Sequence, residues 1–342
     1  NISRVHPVGG PIGGGTVLHI YLADERLLID LGGEEYGPAC RFSYAKAYHG
    51  EARPRHHTVV VSAALTSCEG VRTCGAGWRA MSCVAPPFTG PLINGSADVF
   101  VEVSINRQDF TASESTYRYY DPDAWRMVAF TPLGGPLIGN TTLHIQSTWL
   151  TSLGDFRCRF RQRAFFEDAN ASVTSPTHST CLSPPHWEPH SGVQRVEIEL
   201  TLNGQDFMGL GTHTGIYTYY PLDSAVGLSI QGLTPAGGPS NGGTLIQVTG
   251  TGFARYGRLM CQFEGEASRE GTLSDDGNRM RCQSPAVGVL RSTQQELRAI
   301  DVSVNGEGFI SSSRRNLHFY TPASMNISRV HPVGGPIGGG TV

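Results

Sequence analysis

Apolar and polar residues alternate along three stretches of the chain, and this two-residue period predicts β-strands. The apolar positions of the three stretches are Val101, Val103 and Ile105; Val196, Ile198, Leu200 and Leu202; and Ile300, Val302 and Val304. Such a period places one face of each strand in a core and the other in water. Because no segment combines a 3.6-residue period with helix caps, the pattern predicts an all-β protein.

A Gly-Gly-Pro segment precedes each alternating strand and divides the chain into repeats. It begins at residues 9, 134 and 237, and a fourth copy begins at residue 334. Each of the first three is followed by a Cys-x-Phe step and then by a Cys-x-x-Pro step, which use Cys40 and Cys83, Cys158 and Cys181, and Cys261 and Cys282. The order is the same each time, so the three repeats are predicted to share one fold with about seven short strands each.

A turn is predicted directly after each alternating strand. The turn residues are Asn106-Arg107, Asn203-Gly204 and Asn305-Gly306, and an aromatic residue follows each Asn by four positions, at Phe110, Phe207 and Phe309. Asn and Gly both tolerate positive φ, which favours a hairpin turn at these positions. Each repeat then ends on aromatic residues close to a proline, such as Tyr219-Tyr220 before Pro221.

The opening P-x-G-G-P-x-x-G-G-T-x-L-x-I, followed in order by C-x-F, C-x-x-P and V-x-V-x-x-N-G-x-x-F, resembles the IPT/TIG domain. The resemblance covers nearly the whole chain and implies tandem immunoglobulin-like β-sandwiches. The implied domains are residues 1–124, with an insertion at residues 44–80; residues 125–226; and residues 227–325. The first copy departs from the pattern through this insertion and through Arg107, where the other copies have Gly.

Residues 326–342 repeat residues 1–17 without a difference. The sequence therefore has a period of 325 residues, and residues 326–342 are expected to be the first strand of the next repeat. This period indicates one unit of a longer, repeating protein.

Eight cysteines favour disulfides and an oxidising compartment, although eight cysteines allow 105 connectivities. Aligning the repeats proposes Cys40–Cys83, Cys158–Cys181 and Cys261–Cys282. Cys68 and Cys74, both in the insertion, remain as a local pair; the alternative is that they are unpaired or bridge to another chain. A disulfide that closes a loop of about 20 residues contributes roughly 3 kcal/mol in the chain-entropy account.

Covalent N-linked glycans are expected at the N-x-S/T sequons. These lie at Asn1, Asn94, Asn140, Asn170 and Asn326. For Asn140 the strand period adds an argument, because inward-pointing Leu143 and Ile145 would leave Asn140 on the outer side.

The net charge and the candidate motifs reduce the number of function classes that are expected for this chain. The net charge of −3 comes without a basic stripe, so nucleic acid is not an expected partner, and no apolar run approaches the ~20 residues of a membrane span. The segment from Gly9 to Thr16 lacks the Lys of a P-loop and precedes a strand. His56 and His57 lack metal-ligand spacing and suggest a solvated loop. No catalytic, cofactor-binding or metal residues are assigned, and the protein is expected not to be an enzyme.

Two further polar groups favour a structural interpretation. His186 and His190 flank Trp187 in a Pro-rich loop, where sugar stacking is conceivable but a surface aromatic covering the loop is favoured. Asp and Glu residues on the alternating strands are expected on outward faces, without the burial that raises a carboxyl pKa for acid–base catalysis.

Two functions follow from these expectations. The first is a structural repeat unit of an extracellular glycosylated filament or surface array, which binds copies of itself head-to-tail as one polyprotein or as assembled protomers. The alternative is the stalk or ligand-binding ectodomain of a cell-surface receptor or adhesin. Both place the protein outside the cell or at the cell surface.

Overall fold

A computed structural model describes most of the chain. The described residues are 1–23, 37–46, 55–67, 79–188, 192–209, 215–222, 227–288, 296–309, 313–322, 327–340 and 342. Their secondary structure is β-strand and turn, without an α-helix among them. The predicted all-β class is confirmed, but the described residues 327–340 form no strand, so the expectation of a first strand of the next repeat there was wrong.

Among the described residues, twenty-six strands form three groups that follow the three repeats. The first group is β1 (Ile2–His6), β2 (Gly9–Pro11), β3 (Val17–Leu22), β4 (Ala39–Lys46), β5 (Arg55–Ser67), β6 (Arg79–Val84), β7 (Ser96–Ser104) and β8 (Thr116–Tyr120). The second is β9 (Met127–Thr131), β10 (Gly134–Pro136), β11 (Thr142–Ser147), β12 (Arg157–Gln162), β13 (Phe165–Ser175), β14 (His178–Leu182), β15 (Gln194–Thr201), β16 (Phe207–Gly209) and β17 (Ile216–Tyr220). The third is β18 (Ser229–Thr234), β19 (Gly237–Pro239), β20 (Leu245–Thr251), β21 (Met260–Phe263), β22 (Arg269–Glu270), β23 (Thr272–Leu273), β24 (Arg279–Gln283), β25 (Glu296–Ser303) and β26 (Arg315–Tyr320).

Each group is a two-layered sandwich with the same strand pairing. In the third sandwich the layers are separate sheets, ordered β18-β20-β24-β23 and β19-β26-β25-β21-β22. In the first sandwich the long strand β5 pairs with β4 along its first half and with β6 along its second half, so one strand belongs to both layers. Strand β13 does the same in the second sandwich.

The Gly-Gly-Pro segments are short strands, which the sequence patterns did not predict. Each pairs in parallel with the last long strand of its sandwich: β2 with β8, β10 with β17, and β19 with β26. The three segments therefore hold equivalent places in the three sandwiches.

Two compact units are distinguished by their internal contacts. One consists of Asn1–Thr131, Thr142–Pro185 and Arg195–Tyr217, and the other of Pro132–Thr141, His186–Gln194 and Thr218–Val342. The predicted domain boundaries after residues 124 and 226 stay predictions.

The Cys-x-Phe phenylalanines lie at the centre of the cores. Phe42, Phe160 and Phe263 are at most 2% exposed. Phe42 meets the ring of Tyr117 edge-on at 6.1 Å, and Phe160 meets Tyr217 in the same way at 5.6 Å. Edge-to-face packing at these distances is favourable beyond the area that it buries.

A buried disulfide joins the two layers of each sandwich. The bonds are Cys40–Cys83, Cys158–Cys181 and Cys261–Cys282, with Cα atoms 6.1–6.4 Å apart. Such bonds persist in oxidising compartments, so the protein is extracellular or lies at the cell surface.

Two local expectations were wrong. The Asn-Gly pair is not a two-residue hairpin turn, because Thr201 pairs with Phe207 and leaves a five-residue loop between them. The expectation of outward, solvated carboxylates fails for Glu199 and Asp301, which are 8% and 4% exposed. A guanidinium covers each carboxylate: Glu199 is bound by Arg161, and Asp301 by Arg314 Nε at 2.8 Å.

Adjacent glycines in the third sandwich provide a matched test of the turn that follows β19. Gly242 and Gly243 both have positive φ, of 76° and 86°. A Cβ at Gly242 would lie 2.5 Å from the backbone of Pro285, whereas a Cβ at Gly243 would meet nothing within 4 Å. We expect Gly243→Ala to lower the free energy of unfolding by about 1–2 kcal/mol through backbone strain alone, and Gly242→Ala to lower it clearly more.

Chemical denaturation of the two variants beside the parent chain measures the difference. Equal losses would show that the turn relaxes away from Pro285 and that the close approach is not important for stability.

Candidate interdomain junctions

A five-residue loop in the second sandwich contacts the first sandwich, and both sides of this contact lie within the first compact unit. Asn203 in this loop is 2% exposed. Its Oδ1 accepts the backbone N–H groups of Gln205 at 3.1 Å and Asp206 at 2.9 Å, which closes the loop on itself. Its Nδ2 donates to Asp206 Oδ2 at 2.7 Å and to the carbonyl oxygen of Gly9 at 3.0 Å. One side chain therefore folds its own loop and binds the neighbouring sandwich.

The residues that follow Asn203 extend this contact. The side chain of Gln205 accepts from the backbone N–H of Val17 at 2.9 Å and donates to its carbonyl at 2.8 Å. Thr16 Oγ1 donates to Asp206 Oδ2 at 2.7 Å. Together they bind the end of the Gly-rich turn and the start of β3 in the first sandwich.

The glycine of β2 is required by close packing at this junction. A Cβ at Gly9 would lie 2.5 Å from the carbonyl oxygen of Arg118 and 2.8 Å from a methyl group of Leu153. Backbone contact reinforces the approach, because the N–H of Val8 donates to the carbonyl of Leu153 at 2.8 Å. Only a residue without a side chain fits between its own sheet and the next sandwich.

A second junction of the same kind lies within the second compact unit. Asn305 of the third sandwich is 4% exposed, and its Oδ1 accepts the N–H of Glu307 at 3.1 Å. Its Nδ2 donates to the carbonyl of Gly134 at 3.2 Å and lies 3.5 Å from Thr141 Oγ1. Gly134, Thr141 and Asn305 thus repeat the places of Gly9, Thr16 and Asn203.

An aromatic contact replaces part of the polar contact at the second junction. The third sandwich has Glu307 and Gly308 where the second has Gln205 and Asp206. Tyr256 stacks on Tyr220 with ring centroids 5.2 Å apart and planes 7° from parallel, and its carbonyl accepts the N–H of Leu133. The Asn-to-Gly hydrogen bond is common to both junctions, whereas the surrounding contacts differ.

In the first two sandwiches the Arg of the Cys-x-Phe step packs on the aromatic residue that closes the loop. Arg159 lies over the ring of Phe207, 3.6 Å from its centroid, and donates to Asp168 at 2.7 Å. Arg41 lies over Phe110 at 4.2 Å and donates to Glu102 at 2.7 Å. A cation over an aromatic face, held by a carboxylate, fixes the aromatic that closes the loop in the first two sandwiches.

The glycosylation sequons are exposed where the structure describes them. Asn1, Asn94, Asn140 and Asn170 are all exposed, while Leu143 and Ile145 beside Asn140 are fully buried. Asn326 lies outside the described residues, as do Cys68, Cys74 and His190.

The aromatic histidine cluster differs from its expected position. His186 is 2% exposed, stacks on Trp187 at 4.2 Å and meets Tyr219 at 5.2 Å, so it belongs to the core and does not line a surface loop. His56 and His57 lie on strand β5, so the expectation of a solvated loop there was wrong, and the His57 ring packs on Tyr44 in a tilted arrangement at 5.0 Å. The described part of the chain contains no group of three or more His, Cys, Asp or Glu residues that could hold a metal ion. In the same part, no helix is long and apolar enough to cross a membrane.

The sequence patterns missed the junctions, although a signal was present. The same Asn recurs at the same place in three repeats, and Gln-Asp follows it at the same spacing in the first two. A turn alone does not require this pair, so their recurrence indicates a second binding role.

Comparison with known proteins supports the third sandwich as a member of a defined domain class. Residues 228–319 match the IPT/TIG domain. No curated protein matches the chain. With the repeated strand pairing, the chain consists of tandem immunoglobulin-like repeats.

Several solved structures are similar to this chain at low identity. The plexin A4 full extracellular region is 15% identical over 94% of this chain and 24% of that one, with a TM-score of 0.46. The I9–I11 tandem from titin is 6% identical over 94% and 98%, with a TM-score of 0.23. The ICAM-5 D1–D4 ectodomain fragment is 14% identical over 93% and 76%, with a TM-score of 0.21. The chain spans about a quarter of the plexin A4 extracellular region.

Replacing the junction Asn by Asp tests the two roles of its side chain separately. Asp keeps the oxygen that closes the loop but presents a second oxygen to the carbonyl of Gly9 and to Asp206. We expect Asn203→Asp to lower the free energy of unfolding by about 2–3 kcal/mol, because a buried acceptor is left facing acceptors.

The control is Asn106→Asp in the first sandwich. Asn106 makes the same loop bonds, to the N–H groups of Gln108 and Asp109, but is exposed. We expect a loss below about 1 kcal/mol there. Equal losses in the two variants, measured by chemical denaturation, would contradict a stabilising junction bond.

Burial at the first junction also predicts acid sensitivity. Burial lowers the pKa of His6 below 6.5, with Arg4 and His19 acting in the same direction and Asp155 opposing them. The unfolded chain then binds the proton more readily, so stability is complete above about pH 6.5 and falls as the pH drops towards the lowered pKa. We expect His6→Gln to reduce this acid loss.

Unfolding curves between pH 5 and pH 7.5 provide the measurement. Identical pH dependence in His6→Gln and the parent would exclude His6 as a source of acid sensitivity. Burial also lowers the pKa of His19, which contributes with the same sign.

Proposed function

We propose that the chain is a spacer in the stalk of a cell-surface receptor or adhesin, where it holds other parts of the protein away from the membrane and bears tension. The observation that carries the proposal is the junction built twice, through Asn203 on Gly9 and Asn305 on Gly134. A flexible tether needs no buried hydrogen bond between successive domains. A spacer of defined geometry does.

The disulfides support a role under tension. Cys158–Cys181 and Cys261–Cys282 each join the two layers of one sandwich from inside the core. If such a sandwich unfolds under load, the residues between its cysteines stay closed, which limits the extension of the chain. The spacer is assigned no catalytic role.

Glycans belong to the same proposal. Asn1, Asn94, Asn140 and Asn170 are exposed sequon residues, and sugar at these positions would add polar bulk without entering a core. The support is their exposure and the oxidising compartment that the disulfides require.

A second candidate is a repeat unit of an extracellular filament, and the 325-residue period favours it. A head-to-tail contact that repeats without closing gives a filament. Electron microscopy of native material separates the two: a long periodic fibre favours the filament, whereas isolated membrane-anchored molecules favour the spacer.

Single-molecule stretching of the full chain tests the tension-bearing role. We expect separate unfolding events, and reduction of the disulfides should lengthen the increments of the second and third sandwiches. The sequence separations of 23 and 21 residues within the two cysteine pairs correspond to roughly 80 and 70 Å of added length at ~3.4 Å per residue.

A single event that releases the whole chain would contradict independent load-bearing sandwiches. The Cys158→Ala and Cys181→Ala double variant should show the longer increment of one sandwich without any reductant, which assigns the events.

A further inference from the structure

Each junction has a donor loop and an acceptor strand, and the described part of residues 1–325 contains one more of each. The third donor loop is Asn106–Phe110 in the first sandwich, and the third acceptor is Gly237–Pro239 with Thr244 and Leu245 in the third sandwich. Two of the three loops and two of the three acceptors are engaged in the junctions already described.

The unengaged acceptor is open where its equivalents are covered. Pro7 and Pro132 are buried at the two junctions, whereas the equivalent Pro235 is exposed. Leu245 is 62% exposed, compared with 37% for Val17, whose backbone Gln205 binds. The three atoms nearest to a Cβ at Gly237 all belong to His318 of its own sandwich, at 3.0 Å or more, whereas a Cβ at Gly9 would lie 2.8 Å from Leu153 of the next sandwich.

The unengaged loop already has the shape of the bound ones. Asn106 Oδ1 accepts the N–H groups of Gln108 at 3.0 Å and Asp109 at 2.9 Å, as Asn203 does for Gln205 and Asp206. Ser104 Oγ donates to the same oxygen at 3.0 Å. Binding by this loop would need little further ordering, which favours association.

The chemistry of this loop matches the first junction. Gln108 and Asp109 of this loop are the same residue types as Gln205 and Asp206, which bind Val17 and Thr16 from the second sandwich. The acceptor in the third sandwich presents the same groups: a Thr hydroxyl at Thr244 and the backbone of Leu245.

Arg107 is accommodated by a compensating change. It replaces Gly204, where a Cβ would lie 2.8 Å from Asp155. The position equivalent to Asp155, three residues before the first cysteine of its repeat, is Gly37 in the first sandwich. Arg107 adopts a positive φ of 61° and donates to Ser62 of its own sandwich.

The segment that connects one 325-residue repeat to the next is as long as the segment that connects the first two sandwiches. Gly134 lies 14 residues after Tyr120, and Gly334 lies 14 residues after Tyr320. A first sandwich that begins at residue 326 would therefore follow the third as the second sandwich follows the first.

From these observations we propose that the Asn106–Phe110 loop of a second copy of this chain, joined through residues 326–342, docks on Gly237, Thr244 and Leu245. Asn106 Nδ2 donates to the carbonyl of Gly237, Thr244 Oγ1 donates to Asp109, and Gln108 binds the backbone of Leu245. This third junction goes beyond the spacer role and serves a stalk and a filament equally.

Hydrogen exchange in a tandem protein tests the contact. The protein is residues 1–342 followed directly by residues 18–342, so residues 326–342 open the second copy. We expect the Leu245 amide of the first copy to exchange about tenfold more slowly than in the single chain, because it donates to Gln108 of the second copy. Because the peptide that contains Leu245 is the same in both copies, mass spectrometry with peptide fragmentation should show two equal populations of this amide in the tandem, one slowed and one exchanging as in the single chain.

The same substitution in either copy provides the matched control. Gln108→Ala in the second copy should restore fast exchange at Leu245, whereas Gln108→Ala in the first copy should not. Gln205→Ala should accelerate exchange at Val17 and calibrates the method on a contact that the structure contains. Unchanged exchange at Leu245 in the tandem, or slowing that survives Gln108→Ala in the second copy, overturns the proposal. Neither outcome bears on the stretching behaviour of the single chain, so the spacer role is tested separately.

Discussion

The arrangement of successive sandwiches depends on one side-chain amide that bonds in two directions. The oxygen of Asn203 closes its own loop, and the nitrogen donates to the carbonyl of Gly9 in the preceding sandwich. Because both halves are buried, either one left without a partner would cost free energy. The loop is therefore ordered in the geometry that the neighbour requires, and the same coupling holds for Asn305 and Gly134.

Much of each sandwich could be predicted because its determinants are local in the sequence. The two-residue period selected Ile300, Val302 and Val304, and all three are fully buried. The regular Cys-x-Phe step gave the repeats a common register, with Phe160 at the centre of one core. Burial of this kind follows from the pleat of a strand, because alternate side chains point to the same face whatever packs against it.

The junctions and the buried carboxylates could not be found in this way, because their partners lie far along the chain. Asn203 and Gly9 are 194 residues apart, and nothing beside Asn203 indicates which carbonyl it meets. Glu199 lies on the polar face of an alternating strand, yet Arg161 on the neighbouring strand covers it. The residue types of a strand make one of its faces polar, whereas the exposure of that face to solvent depends on the side chains of the neighbouring strand.

The Asn-to-Gly hydrogen bond does not favour one pair of sandwiches over another, because all three repeats contain both residues. The choice lies in the second and third residues after the Asn. At the first junction Gln205 binds the backbone of Val17, and Asp206 accepts from the hydroxyl of Thr16. At the second junction Gly308 has no side chain that could bind Thr141, whose hydroxyl lies 3.5 Å from Nδ2 of Asn305. The second junction compensates with the stacked rings of Tyr220 and Tyr256. A loop with Gly in place of Asp206 would leave Thr16 without this carboxylate. The residues at these two positions, together with the stacked rings, therefore favour one order of sandwiches over another.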